Sequence, residues 1–262
     1  MGSRYYIKAV FLKTKKTMPN PYFQFKQFTV WHDKCAMKVG TDGVLLGAWA
    51  TANNAESPQA PDTKFHVLDI GTGTGLIAIM IAQRNNKVIA DAIDIDKDAC
   101  EQATENINKS PFRNRINVIH KSFTEYKTEE KYDLIVSNPP YFKSSLKSPD
   151  EKRNAARHND SLPLKQLIEH AIPMLSDNGI IALILPIQLS DELDFIIATH
   201  KLYTTRRTEV VSVEGLQPKR FLIEISLKTP PEYKQTTDTL TLKTTEHTIT
   251  QQYKSLTMDF YL

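Results

Sequence analysis

Four consecutive residues, Asn138-Pro139-Pro140-Tyr141, follow the apolar run Tyr132–Ser137. Proline fixes the backbone φ angle and cannot continue a central strand, so the segment is a rigid strand end. The side-chain carbonyl of Asn138 and the main-chain carbonyl of Pro139 offer two acceptors to one planar NH₂ group, and the Tyr141 ring offers a stacking surface for a base. We therefore expect Asn138, Pro139 and Tyr141 to be catalytic residues acting on a planar amine. The alternative is an ordinary proline turn.

A glycine-rich stretch, Asp69–Gly75 (DIGTGTG), is the second feature that suggests chemistry. Glycines at a strand-to-helix turn allow positive φ angles, and the helix N-terminus offers free N–H groups. Position 76 is neither Gly nor Ala, so the dinucleotide fingerprint G-x-G-x-x-G is not met. Asp69 would repel a pyrophosphate but suits an ammonium group, and Asp94 is placed to accept hydrogen bonds from ribose hydroxyls. The alternative is a tight turn without a ligand.

Alternating strand and helix patterns from residue 65 onward predict an α/β fold. The predicted strands are Phe65–Ile70, Val88–Ile95, Asn117–Ser122, Tyr132–Asn138, Gly179–Pro186, Tyr203–Val213 and Phe221–Leu227. We expect these seven strands to form a doubly wound, mostly parallel sheet, with the last two paired as an antiparallel hairpin. Thr237–Lys243 alternates polar and apolar residues like a half-exposed strand. Ligands bind such sheets beyond the carboxyl ends of the strands, where the glycine stretch and Asn138 fall.

The charge of the chain is unevenly distributed. Its 262 residues include 33 Lys and Arg and 30 Asp and Glu, a net charge of +3. Residues 1–50 hold eight of the cations and two of the acids, which gives 8 − 2 = +6. Aromatic residues stand among these cations, a combination that suits nucleic acid, although a solubilised tail is the alternative. We divide the chain into a basic, aromatic extension with a helix, residues 1–50, and a ligand-binding domain, residues 51–262.

The composition excludes several classes of protein. No apolar run approaches the roughly 18–20 residues that span a bilayer, and lysines interrupt the only apolar start, so we expect a cytoplasmic protein without a signal peptide. Two cysteines, Cys35 and Cys100, and seven scattered histidines show no metal-ligand spacing. We therefore expect reduced thiols, no metal and no membrane partner, and we favour a monomer.

Together these motifs resemble the class I S-adenosylmethionine-dependent methyltransferases, which implies a Rossmann-like fold and S-adenosylmethionine as the cofactor. Phe25–Ala50, the NPPYF stretch and the closing Leu256–Leu262 are similar to the bacterial tRNA adenine-N6 methyltransferases that act on A37 of a valine tRNA. That resemblance implies methylation of adenine N6 in tRNA. NPPY alone also fits methylation of guanine N2 in ribosomal RNA or of glutamine N5 in release factors, and a non-catalytic RNA-binding module is the alternative from another class.

The resemblance also implies a cofactor site made by Thr41, Asp42, Asp69, Gly71, Gly73, Gly75, Asp94 and Ser122. The glycine loop and Asp69 would surround the methionine moiety, and Asp94 would bind the ribose. Thr41 and Asp42 would approach the methionine end from the predicted helix Val44–Ala50, unless they only cap that helix. Ser122 would lie beside the adenine, where many relatives carry an acid instead.

Basic residues around the predicted mouth point to a polyanionic substrate. Residues 143–165 carry six Lys and Arg against three acids, which gives 6 − 3 = +3, and residues 206, 207, 219 and 220 add four cations at or near the same end. One such cluster is more often a solvated face, but three around one mouth favour nucleic acid. We expect tRNA to contact Lys38, Lys143, Lys147, Arg153 and Arg157.

Overall fold

The structure is a computed structural model that describes residues 20–35, 38–52, 63–140, 162–229 and 236–262. The strands in these ranges are β1 (Tyr22–Gln24), β2 (Thr29–Trp31), β3 (Phe65–Ile70), β4 (Val88–Asp94), β5 (Ile116–His120), β6 (Tyr132–Ser137), β7 (Leu175–Pro186), β8 (Tyr203–Val211), β9 (Arg220–Ser226) and β10 (Thr236–Thr241). The α-helices are α1 (Thr41–Trp49), α2 (Leu76–Arg84), α3 (Lys97–Lys109), α4 (Leu164–Ala171), α5 (Ser190–Thr199) and α6 (Gln251–Thr257). None of these helices is long and apolar enough to cross a membrane.

Eight of the strands form one sheet in the order β10-β8-β9-β7-β6-β3-β4-β5. Neighbouring strands run parallel except that β9 is antiparallel to both β7 and β8. The predicted α/β fold, with its mostly parallel sheet and antiparallel seventh strand, is confirmed. β10 pairs with β8 at the edge and extends the sheet from seven strands to eight. In this strand Leu240 is buried against the core while residues 237–239 face solvent, as the half-exposed pattern of residues 237–243 indicates.

Two apolar clusters cover the two faces of the sheet. One cluster includes residues of α1, α2 and α3 together with Val67 of β3, and the other includes residues of α4 and α5 together with Leu68. Successive side chains of a strand point to opposite faces, so a strand covered on both faces is apolar at most positions. The buried apolar residues of β3, Phe65, Val67, Leu68 and Ile70, therefore follow from its position at the centre of the sheet.

The N-terminal hairpin of β1 and β2 packs on the core through aromatic rings. The ring of Phe25 stacks on Phe28 and on Tyr261, with centroids 4.7 and 6.0 Å apart. The backbone N–H of Lys26 donates a hydrogen bond to the carbonyl of Phe260 at 2.8 Å. The first and last described segments of the chain therefore hold each other in place. A domain boundary at residue 50 stays a prediction.

Two arginines hold the C-terminal end of α1. The guanidinium of Arg84 donates to the carbonyls of Gly47 and Ala50, at 3.1 and 2.6 Å. The guanidinium of Arg206 lies 4.2 Å from the centre of the Trp49 ring and donates to the Trp49 carbonyl at 3.1 Å. Cations at this end of a helix satisfy its free carbonyls and complement its dipole.

A buried carboxylate completes this attachment. Glu224 of β9 is 3 % exposed, and it accepts hydrogen bonds from the backbone N–H and the hydroxyl of Thr51, at 2.6 and 3.1 Å. Burial raises the pKa of Glu224, while the bonds from Thr51 and the charges of Arg206 and Arg84 favour its ionised form. The chain that leaves α1 is therefore tied directly to the sheet.

Replacing Glu224 by Leu should lower the free energy of unfolding by about 1–3 kcal/mol, because the partly buried N–H of Thr51 would lose its acceptor. Glu224→Gln keeps an oxygen for that N–H and should lose less. Glu129→Leu, at an exposed position, is the control and should change stability by less than about 0.5 kcal/mol. Urea denaturation measures all three variants, and equal losses for Leu and Gln at position 224 would contradict this role.

Candidate active site

The candidate site lies at the edge of the sheet where β3, β4, β5 and β6 end. Ile70 pairs in register with Ile93 of β4 and with Ser137 of β6, so three strands finish side by side. The strand ends bring together the predicted site residues Asp69, Gly71, Gly73, Gly75, Asp94, Ser122, Asn138 and Pro139. Carboxyl ends of parallel strands are where open α/β sheets bind ligands.

The three glycines of the loop have positive φ angles, +69° at Gly71, +56° at Gly73 and +80° at Gly75. A Cβ atom at Gly71 or Gly73 would have no neighbour within 4 Å, so the loop borders open space at both positions. A Cβ at Gly75 would lie 3.3 Å from Ile107 and 3.4 Å from Ala103. The first two glycines thus leave room for a ligand beside the backbone, and the third allows α2 to pack against α3.

Asn106 of α3 joins this loop to the N-terminal hairpin. Its buried amide donates to the carbonyls of Thr74 and Trp31 and accepts from the N–H of Trp31, each at 2.9 Å. All three bonds have good hydrogen-bond lengths. The loop therefore has a fixed position relative to β2, through a residue that no motif in the sequence marks.

Asp69 is fully buried beneath the loop. Its Oδ2 accepts hydrogen bonds from the hydroxyl of Thr72 at 2.7 Å and from the backbone N–H of Ala78 at 3.2 Å. Its Oδ1 is buried and has no hydrogen-bond partner within the described part of the chain. Burial raises the pKa of Asp69 to about 7, although both hydrogen bonds act to lower it. Asp69 holds the loop with one oxygen and keeps an unsatisfied acceptor on the other; its contact with a ligand stays a prediction.

Asp94 also holds the loop. Its Oδ2 accepts from the backbone N–H of Gly73 at 2.8 Å and its Oδ1 from that of Asp96 at 3.0 Å. Burial raises the pKa of Asp94 against the effect of these bonds. Each carboxylate oxygen accepts about two hydrogen bonds, so each oxygen of Asp94 keeps one acceptor position for a ligand.

The third strand end lies beside Asp94. The N–H of Lys121 donates to the carbonyl of Asp94 at 2.9 Å, and the next residue, Ser122, shares a 2.9 Å hydrogen bond with the hydroxyl of Thr124. Ile95 follows Asp94 and is 54 % exposed. It was not among the predicted site residues, although an apolar residue between two aspartates at a strand end is a usable signal. Ile95 follows Asp94 at the end of β4, and Ser122 follows the end of the neighbouring strand β5.

Asn138 is half-buried and continues directly from the end of β6. The hydroxyl of the preceding Ser137 donates to the carbonyl of Ile70 at 2.8 Å, which fixes the ends of β6 and β3 together. Because Ser137 and Ile70 are paired in register, the residues that follow them, Asn138 and Gly71, lie on neighbouring strands about 4.8 Å apart. The Asn138 amide makes no hydrogen bond with any residue the structure describes. Pro139 is buried, and the predicted Tyr141 lies outside the described residues.

Helix α1 reaches the site with its N-terminal end. Its N-cap residue is Gly40, which has no side chain to cap the helix, and Thr41 and Asp42 occupy the first turn. A Cβ atom at Gly43 would lie 3.2 Å from the side chain of Leu76, the residue that follows the glycine loop. The first turn of α1 therefore touches the beginning of α2. Asp42 forms an ion pair with Arg220 of β9, and contact of Thr41 and Asp42 with a ligand stays a prediction.

Of the basic residues predicted around the mouth, some lie outside the described residues and two lie lower in the sheet. Lys38 is exposed and precedes α1, while Lys143, Lys147, Arg153 and Arg157 lie outside the described residues. The prediction for Arg206 and Arg207 is wrong, because they pair with residues 224 and 223 of β9, about 10–13 Å below Arg220 along the strand. Their guanidinium groups lie over the rings of Trp49 and Phe221, each 4.2 Å from the ring centre. Both arginines are packing residues.

Comparison with known proteins places these features in a family context. Residues 55–193 match the family model of the methyltransferase small domain. A tRNA1(Val) (adenine(37)-N6)-methyltransferase of Parabacteroides distasonis is 51 % identical over 247 residues, which cover 94 % of this chain and 99 % of that protein. A protein of the same name from Bacteroides thetaiotaomicron is 44 % identical over 249 residues, with the same coverage.

The fold has relatives among solved structures. A "predicted O-methyltransferase" from Agrobacterium tumefaciens superposes with a TM-score of 0.61 at 18 % sequence identity, and the match covers 84 % of this chain and 96 % of that one. At this identity the similarity is one of fold. It confirms the predicted class I methyltransferase architecture.

Asp69→Asn tests the cost of burying this carboxyl group. Because its pKa is about 7 in the folded protein and ordinarily 3.8, ionisation of Asp69 lowers wild-type stability as the pH rises from about 4 through about 7. The variant lacks this loss and keeps an oxygen for the N–H of Ala78. Its melting temperature relative to wild type should therefore increase between about pH 5 and about pH 8. Asp98→Asn, at an exposed position, is the control, and a pH-independent difference for Asp69→Asn would contradict the explanation.

Proposed function

Since this chain belongs to the methyltransferase small domain family and, within it, to the tRNA1(Val) (adenine(37)-N6)-methyltransferases, we propose that it methylates the N6 amine of adenine 37 in a valine tRNA. The methyl donor is S-adenosylmethionine. The observation that carries the proposal is the position of Asn138. Asn138 and Gly71 follow the paired residues Ser137 and Ile70, and the Asn138 amide has no partner among the described residues.

The residues of the site fit S-adenosylmethionine. Open space borders the backbone at Gly71 and Gly73, Asp94 keeps two acceptor positions, and Oδ1 of Asp69 lacks a partner among the described residues. A cationic ligand near Asp69 would offset the cost of its buried negative charge. When bound, S-adenosylmethionine supplies an activated methyl group, and the protein contributes position and orientation.

Each of the site residues contacts a different part of the cofactor. Asp94 accepts hydrogen bonds from the ribose hydroxyls, for which each of its oxygens has a free position. Ile95 offers an apolar surface to the adenine, and Ser122 offers a hydroxyl. Asp69 and the glycine loop line the methionine moiety. Thr41 and Asp42 complete that end from the first turn of α1.

Asn138 and Pro139 act on the target amine. The side-chain carbonyl of Asn138 and the main-chain carbonyl of Pro139 each accept one N–H of adenine N6, which directs the nitrogen lone pair toward the glycine loop. Hydrogen bonds to both N–H groups draw this lone pair out of conjugation with the ring and make the nitrogen more nucleophilic. The nitrogen gains a methyl group and loses one N–H proton, which passes to solvent because neither carbonyl is basic enough to keep it. Tyr141 follows in sequence, and we assign to it stacking on the base.

The tRNA is held by its phosphates. We propose that Lys38, which is exposed and precedes α1, contacts these phosphates together with Lys143, Lys147, Arg153 and Arg157. Bases of an anticodon loop are unpaired, so their extrusion into an active site costs less than extrusion from a duplex. The reaction takes place in the cytoplasm, where tRNA is modified, and needs no metal or membrane partner.

The decisive experiment incubates the protein with labelled S-adenosylmethionine and, separately, with bulk tRNA, ribosomal RNA or release factor. Mapping of the modified nucleotide should place the label on N6 of A37 in valine tRNA. Label on guanine N2 of ribosomal RNA or on a release-factor glutamine would show that the substrate is that molecule and not valine tRNA. Absence of label from all three would leave a non-catalytic RNA-binding module.

Asn138→Ala should reduce methylation turnover by about 10²-fold or more, since it removes one of two acceptors that act only on the reacting amine. Cofactor affinity should stay within a few-fold of wild type, because Asn138 does not touch the cofactor-binding carboxylates. Asn108→Ala, on the exposed side of α3, is the matched control. Unimpaired methylation by Asn138→Ala would contradict the mechanism.

Asp94→Ala should weaken S-adenosylmethionine binding at least about tenfold in a calorimetric titration, because it removes the ribose acceptors and the bond that holds Gly73. Asp191→Ala, at an exposed position in α5, makes the same change of charge outside the proposed cofactor-binding residues and should bind normally. An unchanged affinity in Asp94→Ala would remove this residue from the ribose site.

A further inference from the structure

Helix α1 is attached to β9 at both of its ends. Leu222 belongs to the apolar cluster that contains α1, so Arg220 and Glu224, two residues away on either side, point to the same face of the sheet. Arg220 pairs with Asp42 in the first turn of α1, and Glu224 binds Thr51 just beyond the last turn. The four strand residues from Arg220 to Glu224 and the nine helical residues from Asp42 to Thr51 both span about 13 Å. The spacing of the two attachment points on β9 therefore equals their spacing on α1.

The two attachments differ in their access to solvent. Glu224 is 3 % exposed, and two arginines hold the same end of the helix. The side chains of Asp42 and Arg220 are 37 % and 27 % exposed. Within the described residues this ion pair is the one that holds the N-terminal end of α1. A ligand can reach this attachment, whereas it cannot reach the buried one.

Arg220 lies close to the proposed position of the target amine. Ser137 pairs with Leu183 of β7, and Pro186 of β7 pairs with Arg220. Arg220 is therefore two strand spacings across and about two residues above Asn138, a Cα separation of about 12 Å. The guanidinium group extends from that point, so it is within reach of the phosphates beside an adenosine whose N6 is held by Asn138.

A half-buried guanidinium group requires an anionic partner. Burial lowers the pKa of Arg220, and Asp42 supplies the negative charge that compensates for this burial. Phosphate is a stronger partner than an exposed carboxylate, because it presents several oxygens to the planar guanidinium fork. Asp42 and an RNA phosphate therefore compete for the same group.

We propose that Arg220 binds a phosphate of the tRNA next to the target adenosine, and that this phosphate displaces Asp42. The inference rests on the proposed function and adds to it a residue that positions the substrate. Before RNA binds, the ion pair keeps Arg220 compensated and oriented. After the exchange, Asp42 is released at the end of α1 that touches the beginning of α2, beside the glycine loop.

The test measures binding of unmodified valine tRNA to the cofactor-free protein by fluorescence anisotropy over a range of salt concentrations. Arg220→Gln should weaken binding about tenfold and reduce the slope of log K against log salt by about 0.7–0.9. Asp42→Asn should tighten binding about two- to five-fold, because it removes the competitor of the phosphate. Lys228→Gln is the matched control, since Lys228 forms an ion pair with Asp177 at 3.1 Å beyond the other end of β9.

The opposite signs of the two effects separate this proposal from a structural role. If Arg220 only anchored α1, both variants would lose thermal stability and would change tRNA affinity in the same direction or not at all. Either result would overturn the exchange. Arg220→Lys keeps the charge and should bind with an affinity between those of wild type and Arg220→Gln.

Failure of this inference is distinguishable from failure of the proposed function. If wild type methylates valine tRNA while the variants lack opposite effects, the exchange is wrong and the function stands. If wild type methylates no tRNA, both are overturned.

Discussion

The central position of β3 between β4 and β6 is the constraint on which the site depends. It places the ends of three parallel strands next to each other, with Ile70 paired to both Ile93 and Ser137. The chain leaves β3 through a loop of three glycines, and this loop passes between an acid on one neighbouring strand and an amide on the other. Asp94 and Asn138 are therefore positioned by the sheet itself. Their spacing follows from strand register and from the chain's turns at the strand ends.

The acids of the site have two tasks at once. Asp69 binds Thr72 and Ala78, and Asp94 binds Gly73, so both carboxylates position the loop that we propose surrounds the cofactor. This arrangement makes the loop rigid without filling the space beside its glycines. It also leaves Asp69 with a buried oxygen that has no partner among the described residues, which is an energetic cost in the protein alone. Groups whose pKa is shifted by burial in this way are concentrated at functional sites.

Local patterns were sufficient to predict the strands of the main sheet, the glycine loop and the strand-end residues, because each depends on a few consecutive side chains, whereas the short strands β1 and β2 were not predicted. The pairing of Asp42 with Arg220 was not predictable, since the two residues are 178 positions apart and meet only after α1 has packed on β9. The position of Arg206 along its strand, relative to the carboxyl ends of the parallel strands, was also not predictable. The β8–β9 register, including an irregularity between Thr204 and Arg206, decides that position. Asn106 was missed because an asparagine inside a helix carries no signal of its two distant partners.

The hairpin that begins the described chain has consequences for the order of folding. Trp31 of β2 is bound by Asn106, which is synthesised 75 residues later, and Lys26 is bound by Met258, which is 232 residues later. At about 5–20 residues per second, roughly 4–15 seconds pass between synthesis of Trp31 and synthesis of Asn106. The hairpin is therefore synthesised well before the residues that hold it in its final place. Until the C-terminal residues arrive, its aromatic rings remain exposed to other surfaces in the cell.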